Sequence, residues 1–332
     1  MDTALYFPYM RVPDNSWFTR VVLYWDRAAS IVPDRFREDD EELGSYTLSL
    51  AKYHLIDLIS PREALASTSR PFDEQFLNML DAQEVRPLDD STKWERLHVE
   101  KGRPFLFQEL ADRGLAHMSP NFMWFEVEAR AANLYMAYLV GSLCRESPTM
   151  YPVTDSKEAL TALAYPGDNP ADRFRALRYA AITHALPVPS GRVSPEDLAR
   201  FKERYADKLG RLRCHLNGQL ADIAAIDDPY MRDIRVESVL QEIRDDVAVI
   251  SEQMTKRQWP RVLFSGIAGV VGVGLAAGAV IATGGTALAL GLGVGAAAAS
   301  MGPAAYQAAD LFARPRFDAR APLAYAALAG GL

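Results

Sequence analysis

Cysteine is nearly absent. The 332 residues contain two, Cys144 and Cys214, far apart and without a C-x-x-C. A disulfide framework is excluded, and both thiols read as buried or indifferent. Histidine is scarce too. His54, His98, His117, His184 and His215 show no metal-ligand spacing, and the adjacent Cys214 and His215 diverge on an expected helix. The chain has no G-x-x-x-x-G-K-[ST], no G-x-S-x-G and no H-E-x-x-H. Gly272-x-Gly274 lies in an apolar segment, without the strand and acidic residue of a dinucleotide site. No metal and no other cofactor is expected. Positive charge is not in excess: 36 basic and 43 acidic side chains leave a net charge of −7, so nucleic acid is not an expected partner. The start lacks a secretory signal, since Met1-Asp2-Thr3 has no basic residue and Pro8, Arg11, Pro13 and Asp14 break any apolar run. A cytoplasmic body is expected. An apolar content of 49% excludes a disordered chain.

The most informative deficit is local. Residues 262–309 are 48 positions without a charge, 26 of them glycine or alanine. The first 21 of them, at about 1.5 Å each, span about 31 Å against a hydrocarbon core of about 30 Å. Thr283-Gly284-Gly285-Thr286 reads as a tight turn, so the segment is expected to form a hairpin of two apolar helices. Lys256, Arg257 and Arg261 precede it, and Arg314, Arg316 and Arg320 follow it. Basic flanks at both ends place both on the cytoplasmic side of an inner membrane. Residues 256–332 carry a net +4 and the rest a net −11, so the tail suits an anionic lipid surface. Gly274 and Gly278 form one small-residue pair, and Ala287, Gly291, Gly295 and Ala299 form a stripe that allows close helix packing. The second half has few large apolar residues and Pro303 near its end, which suits conditional insertion. Hairpins of pore-forming colicins are similar in composition alone. The alternative is a hairpin buried inside a soluble assembly.

Three parts are expected: a mixed α/β to α-helical body over 1–190, a long antiparallel helical hairpin or stalk over 191–255, and the apolar hairpin with its flanks over 256–332. The fold class is mainly α, with a small α/β part at the N-terminus. Ala4-Leu5-Tyr6-Phe7-Pro8 reads as a strand, and Asn15 as a cap for a helix through Trp17 and Val21, although residues 21–24 also fit a strand. Ser60-Pro61-Arg62-Glu63 is a helix start. Residues 104–114 read as a helix closed by glycine, and 121–144 as one buried helix. From the Ser194 cap, Leu198, Phe201, Tyr205, Leu209, Leu212, Leu216, Leu220 and Ile223 predict one helix of about 30 residues. After Asp227-Asp228-Pro229, a second stripe from Ile234 to Met254 predicts its antiparallel partner.

Four motifs in order carry a resemblance: Ala4-Leu5-Tyr6-Phe7-Pro8-Tyr9; Asp14 and Trp17 followed by Leu23-Tyr24-Trp25-Asp26 and Ile31-Val32-Pro33; Pro152-Val153-Thr154-Asp155; and Leu186-Pro187-Val188-Pro189 before the long helix. With them, residues 4–255 resemble a family of uncharacterised bacterial proteins. The resemblance implies a bacterial source and carries over no catalytic role.

For chemistry, Asp14, Asp26 and Asp155 are the candidate polar residues, lying near strand-like segments. Buried carboxylates of this kind bind divalent metals in hydrolases, whereas turns and caps are the plainer use. Glu126 and Glu128 fall on nearly opposite faces if their segment is helical. The functional expectation is a membrane-associated sensor or effector, toxin-like or of phage-defence type, with a protein partner or self-association. A soluble oligomeric scaffold and a metal-dependent hydrolase are the alternatives. If the hairpin opens a pore, Gly291→Leu with Gly295→Leu abolishes leakage from liposomes while the chain still expresses. Unchanged leakage would reject close helix packing as its basis.

Overall fold

The computed structural model describes residues 1–68, 71–85, 93–163, 170–255, 321–330 and 332. The architecture is mainly helical, with one small parallel and one small antiparallel sheet. Four short apolar runs form β1 (Thr3–Tyr6), β2 (Arg27–Ile31), β3 (Ile56–Ile59) and β7 (Met150–Val153). They are parallel, in the order β3-β2-β1-β7. Both sheet faces are covered. In β1, Ala4 and Tyr6 point into one core, while Leu5 and Phe7 point into another. Strands covered on both faces lose polar–apolar alternation, which is why periodicity left 21–24 undecided.

The ambiguous segment is helical. In α1 (Ser16–Tyr24), the Asn15 side chain accepts the Phe18 N–H at 3.0 Å. The charged run 34–42 becomes the start of α2 (Asp40–Lys52), where Asp39 caps and three acids fill the first turn. Inside it, Gly44 sits at φ +75°, and a Cβ there would meet the Arg11 guanidinium at 2.7 Å. Both helices pack on one face of the sheet.

The connection from β3 to β7 is a long insert on the other face. It holds α3 (Pro61–Ala66), α4 (Phe72–Ala82), β4 (Trp94–His98), α5 (Pro104–Asp112), β5 (Ala116–Met118), β6 (Trp124–Glu128) and α6 (Ala129–Glu146). β4, β6 and β5 make the antiparallel sheet. Ser60-Pro61 starts α3 as expected, and Gly114 at φ +71° follows α5. The single helix expected over 121–144 is instead β6 followed by α6. The Glu128 carboxylate turns the chain by accepting the Ala131 N–H at 2.8 Å. Glu126 and Glu128 therefore lie two apart on a strand, on one face, and not on opposite faces of a helix.

After β7 come α7 (Lys157–Ala162), α8 (Pro170–Ala185), α9 (Pro195–Arg204), α10 (Ala206–Ala224), α11 (Pro229–Thr255) and α12 (Ala324–Gly330). Ser194 caps α9 with Pro195 at its first position. The expected 30-residue helix is two helices, because Tyr205 leaves helical geometry at φ −117°, ψ 21°. α9 packs beneath α1 and α2, whereas α10 packs on α8 and α12. One unbroken apolar stripe serves both, so its spacing cannot reveal the break. Nor do α10 and α11 stand apart as a stalk. Leu209, Leu212, Leu216, Val239, Ile243 and Val247 share a core with Ala4, Tyr6 and Val153 of the sheet.

α12 completes that core. Tyr325 is fully buried, its hydroxyl donates to the Leu23 carbonyl at 2.7 Å, and its ring meets Tyr24 and Phe201 edge-on. Tyr325→Ala is expected to cost about 3–5 kcal/mol, read as a lower urea midpoint at unchanged slope.

Candidate functional site

Strand order locates the site. β1 leads through α1 to β2 and through α2 to β3, all in one direction, while β7 lies on the other side of β1. The direction of winding reverses between β1 and β7. In open parallel sheets, the crevice outside the carboxyl ends of the strands at such a reversal is where ligands bind. The loops that meet there are 7–15 after β1 and 154–156 after β7. The Tyr6 hydroxyl donates to Asp155 Oδ1 at 3.0 Å, and the Tyr179 hydroxyl donates to the Thr154 carbonyl at 2.7 Å. Burial, then the Asp155 charge, pushes the Tyr6 phenol well above its ordinary pKa. Tyr9, half exposed beside it, is raised by burial and then by Glu95, Asp155 and Glu158. The Tyr9 side of the crevice is thus acidic. Among the described residues, no three His, Cys, Asp or Glu side chains come together to hold a metal.

The three candidate aspartates do not converge. Asp155 and Asp14 lie at the carboxyl edge. Asp155 is held by Tyr6, and Asp14 is paired with the Arg192 guanidinium. Asp26 lies at the opposite edge, directly before β2. It accepts the Asp2 N–H at 2.7 Å and a hydrogen bond from Arg213. Burial works to raise its pKa, but these hydrogen bonds outweigh it and hold the carboxyl below its ordinary value. Beside it, Arg178 is 1% exposed, donates to Asp2 Oδ2 at 2.7 Å and lies 4.4 Å over the Trp25 ring. Asp26 is a structural anchor, so Asp26→Asn disturbs folding before any chemistry.

The residues that sequence reading missed lie in the insert, within a stretch that looked only polar. The turn Val99–Lys101 continues β4 and lies against α3. Lys101 is 3% exposed, and among the described residues its Nζ reaches only the Pro8 carbonyl, at 3.4 Å. Burial lowers its pKa to about 7. His98, 2% exposed, meets Phe36 and Trp124 edge-on, with ring centroids 5.2 and 5.0 Å away. Burial, then the Arg35 and Lys101 charges, lowers its pKa to about 4, so the ring is neutral at pH 7. No spacing rule marks these two residues, because the tertiary fold alone buries them.

Lys202 makes the contrast. Its ammonium is also buried and also lowered to about 7, by burial against the opposing Asp26 charge. Yet it donates to three carbonyls that close α1, those of Val22, Trp25 and Asp26, at 2.7, 2.7 and 2.8 Å. All three of its protons are used. An open cavity of about 440 Å³ lies elsewhere, beside Arg192, Arg200, Phe201 and Leu328. Two of its cations are already paired, Arg200 with Glu196 and Asp197, and Arg192 with Asp14.

The named hairpin positions, Gly274, Gly278, Ala287, Gly291, Gly295 and Ala299, lie outside the described residues. So do the flanking Lys256, Arg257, Arg261, Arg314, Arg316 and Arg320. Among the described residues, no helix is long and apolar enough to cross a membrane.

A lysine lowered in the folded state binds its proton less tightly there than in the unfolded chain. The penalty is full below pH 7. It fades as pH rises from about 7 toward the ordinary 10.5, so stability climbs through that window. Lys101→Met is expected to remove its share of the climb, leaving that of Lys202. Urea unfolding from pH 6.5 to 9.5 checks this, and parallel curves for the two chains would reject it.

No protein-family model, no curated protein and no solved structure matches the chain.

Proposed function

We propose that the protein is a membrane-associated effector: a folded body carrying residues 256–320 as an out-and-back excursion into a bilayer. One observation supports this reading above the rest. The chain departs at the end of α11, Thr255, and α12 returns it to a place against α10 and α11 in the same core. Both ends of the excursion belong to one helical layer. An apolar hairpin with both flanks on the cytoplasmic side needs that arrangement. The sequence supplies the rest: 48 uncharged positions bounded by six basic side chains. In this reading the pair α10 and α11 leads to the hairpin, and its small-residue stripes pack helix on helix or copy on copy. Marginal hydrophobicity and small-residue stripes are what suit the hairpin to a toxin-like or phage-defence role.

The test must keep α12, because cutting the chain at Thr255 would remove Tyr325 from the core. Residues 262–309 are replaced by a glycine-serine linker of the same length, and both chains are fractionated and extracted with alkaline carbonate. The natural chain is expected in the pellet and the replaced chain in the supernatant. Both in the supernatant would overturn the membrane reading in favour of a buried hairpin in a soluble assembly, and both in the pellet would overturn the hairpin as the anchor.

A further inference from the structure

Lys101 and His98, both in the insert, have hydrogen-bonding capacity that the protein leaves unused among the described residues. They are neighbours on one turn. Lys101 has three N–H donors and, among the described residues, a single long hydrogen bond and no carboxylate partner. His98 Nδ1 accepts the Glu100 N–H at 3.3 Å. That bond puts the proton of the neutral ring on Nε2, and buried Nε2 has no hydrogen-bond partner. A buried donor without an acceptor costs about 1–3 kcal/mol, and a buried ammonium without an anion costs more. The buried ammonium of Lys202, by contrast, is fully hydrogen-bonded. Lys101 and His98 are left open.

The His98 side of the turn is basic and lined by rings. The Arg35 guanidinium lies 5.0 Å from the Phe36 ring centroid, and that of Arg96 lies 4.4 Å from Trp124. These are the two rings that flank His98. The nearest acid in sequence to Arg35, Asp34, is engaged by Arg37 and Ser60. The place is also the right one in the fold. Pro8, whose carbonyl Lys101 meets, lies two residues after β1, and Phe36 lies five residues after β2, so the turn lies over the carboxyl edge of the parallel sheet.

We infer that His98 and Lys101 form a binding site for an oxyanion, a phosphoryl or carboxylate group held between the sheet's carboxyl edge and the antiparallel insert. The anion accepts from Lys101 Nζ and from His98 Nε2–H. Phe36 and Trp124 keep water from the ring, and in that low-dielectric setting charge-assisted hydrogen bonds are strong. Arg35 and Arg96 supply a positive rim. The site owes nothing to the apolar segment, and its test needs no lipid, so it stands or falls apart from the membrane reading.

The experiment is thermal unfolding of the full-length chain in sodium phosphate, sodium acetate or sodium chloride at matched ionic strength. The natural chain is expected to gain about 2–4 °C in Tm, saturably, in phosphate or acetate over chloride. The stronger of the two anions tells a phosphoryl from a carboxylate site. Lys101→Met is expected to lose the gain while its Tm in chloride is equal to or above that of the natural chain, since a buried unpaired ammonium has gone. A lysine with a merely structural role would instead lower Tm in chloride on replacement. His98→Phe keeps the ring packing, removes Nε2–H, and is expected to cut the gain by at least half. It also decides the matter should Lys101→Met fail to fold. The proposal is overturned if neither anion moves the natural chain relative to chloride, or if the gain persists in both variants.

Discussion

The ion network at the amino edge of the parallel sheet holds the molecule together. Asp2 precedes β1 and Asp26 precedes β2. Between them they engage Arg178 of α8 and Arg213 of α10, and Lys202 of α9 closes α1 just beside them. Three consecutive helices, more than 170 positions along the chain, are thereby registered against two adjacent strands. The apolar core alone would leave that register loose, because alanines and leucines pack acceptably in many alignments. The cations are deeply placed, Arg178 between the rings of Trp25 and Tyr151, so losing either carboxylate leaves buried charge without a counter-charge.

Stability and ligand capacity are consequently divided between the two ends of the sheet. At the amino edge most polar groups are paired. At the carboxyl edge the loops after β1 and β7, together with the insert, bring unfilled donors, basic side chains and aromatic rings to one place. This division follows from winding: with β7 on the far side of β1, the connections diverge at the carboxyl end and leave room there.

The local signals were legible in the sequence. Asn15 and Ser194 cap helices where their chemistry says, because capping is decided by residues three apart, and Pro61 starts a helix at its first position. The parallel sheet was not legible as a sheet. Its strands are four or five residues long, apolar on both faces, and paired with partners up to about 150 positions away. The helix break at Tyr205 was hidden because both helices keep one stripe. The aspartates were recognisable as special but not by role: Asp26 near a strand looks the same in sequence whether it meets a substrate or an arginine. Lys101 and His98 gave no sign, since what distinguishes them is the absence of a partner, and a missing partner shows only in three dimensions.

The position of α12 bears on how the body is made. Chains emerge from the ribosome N-terminus first, and domains tend to fold as they emerge. Here the first layer, with Leu23 and Tyr24, stays open until Tyr325 arrives, three hundred residues later. The most apolar stretch of the chain is synthesised in that interval. That stretch is therefore made while the core of the body is still one helix short, and the closure of that core records that all of it has been produced.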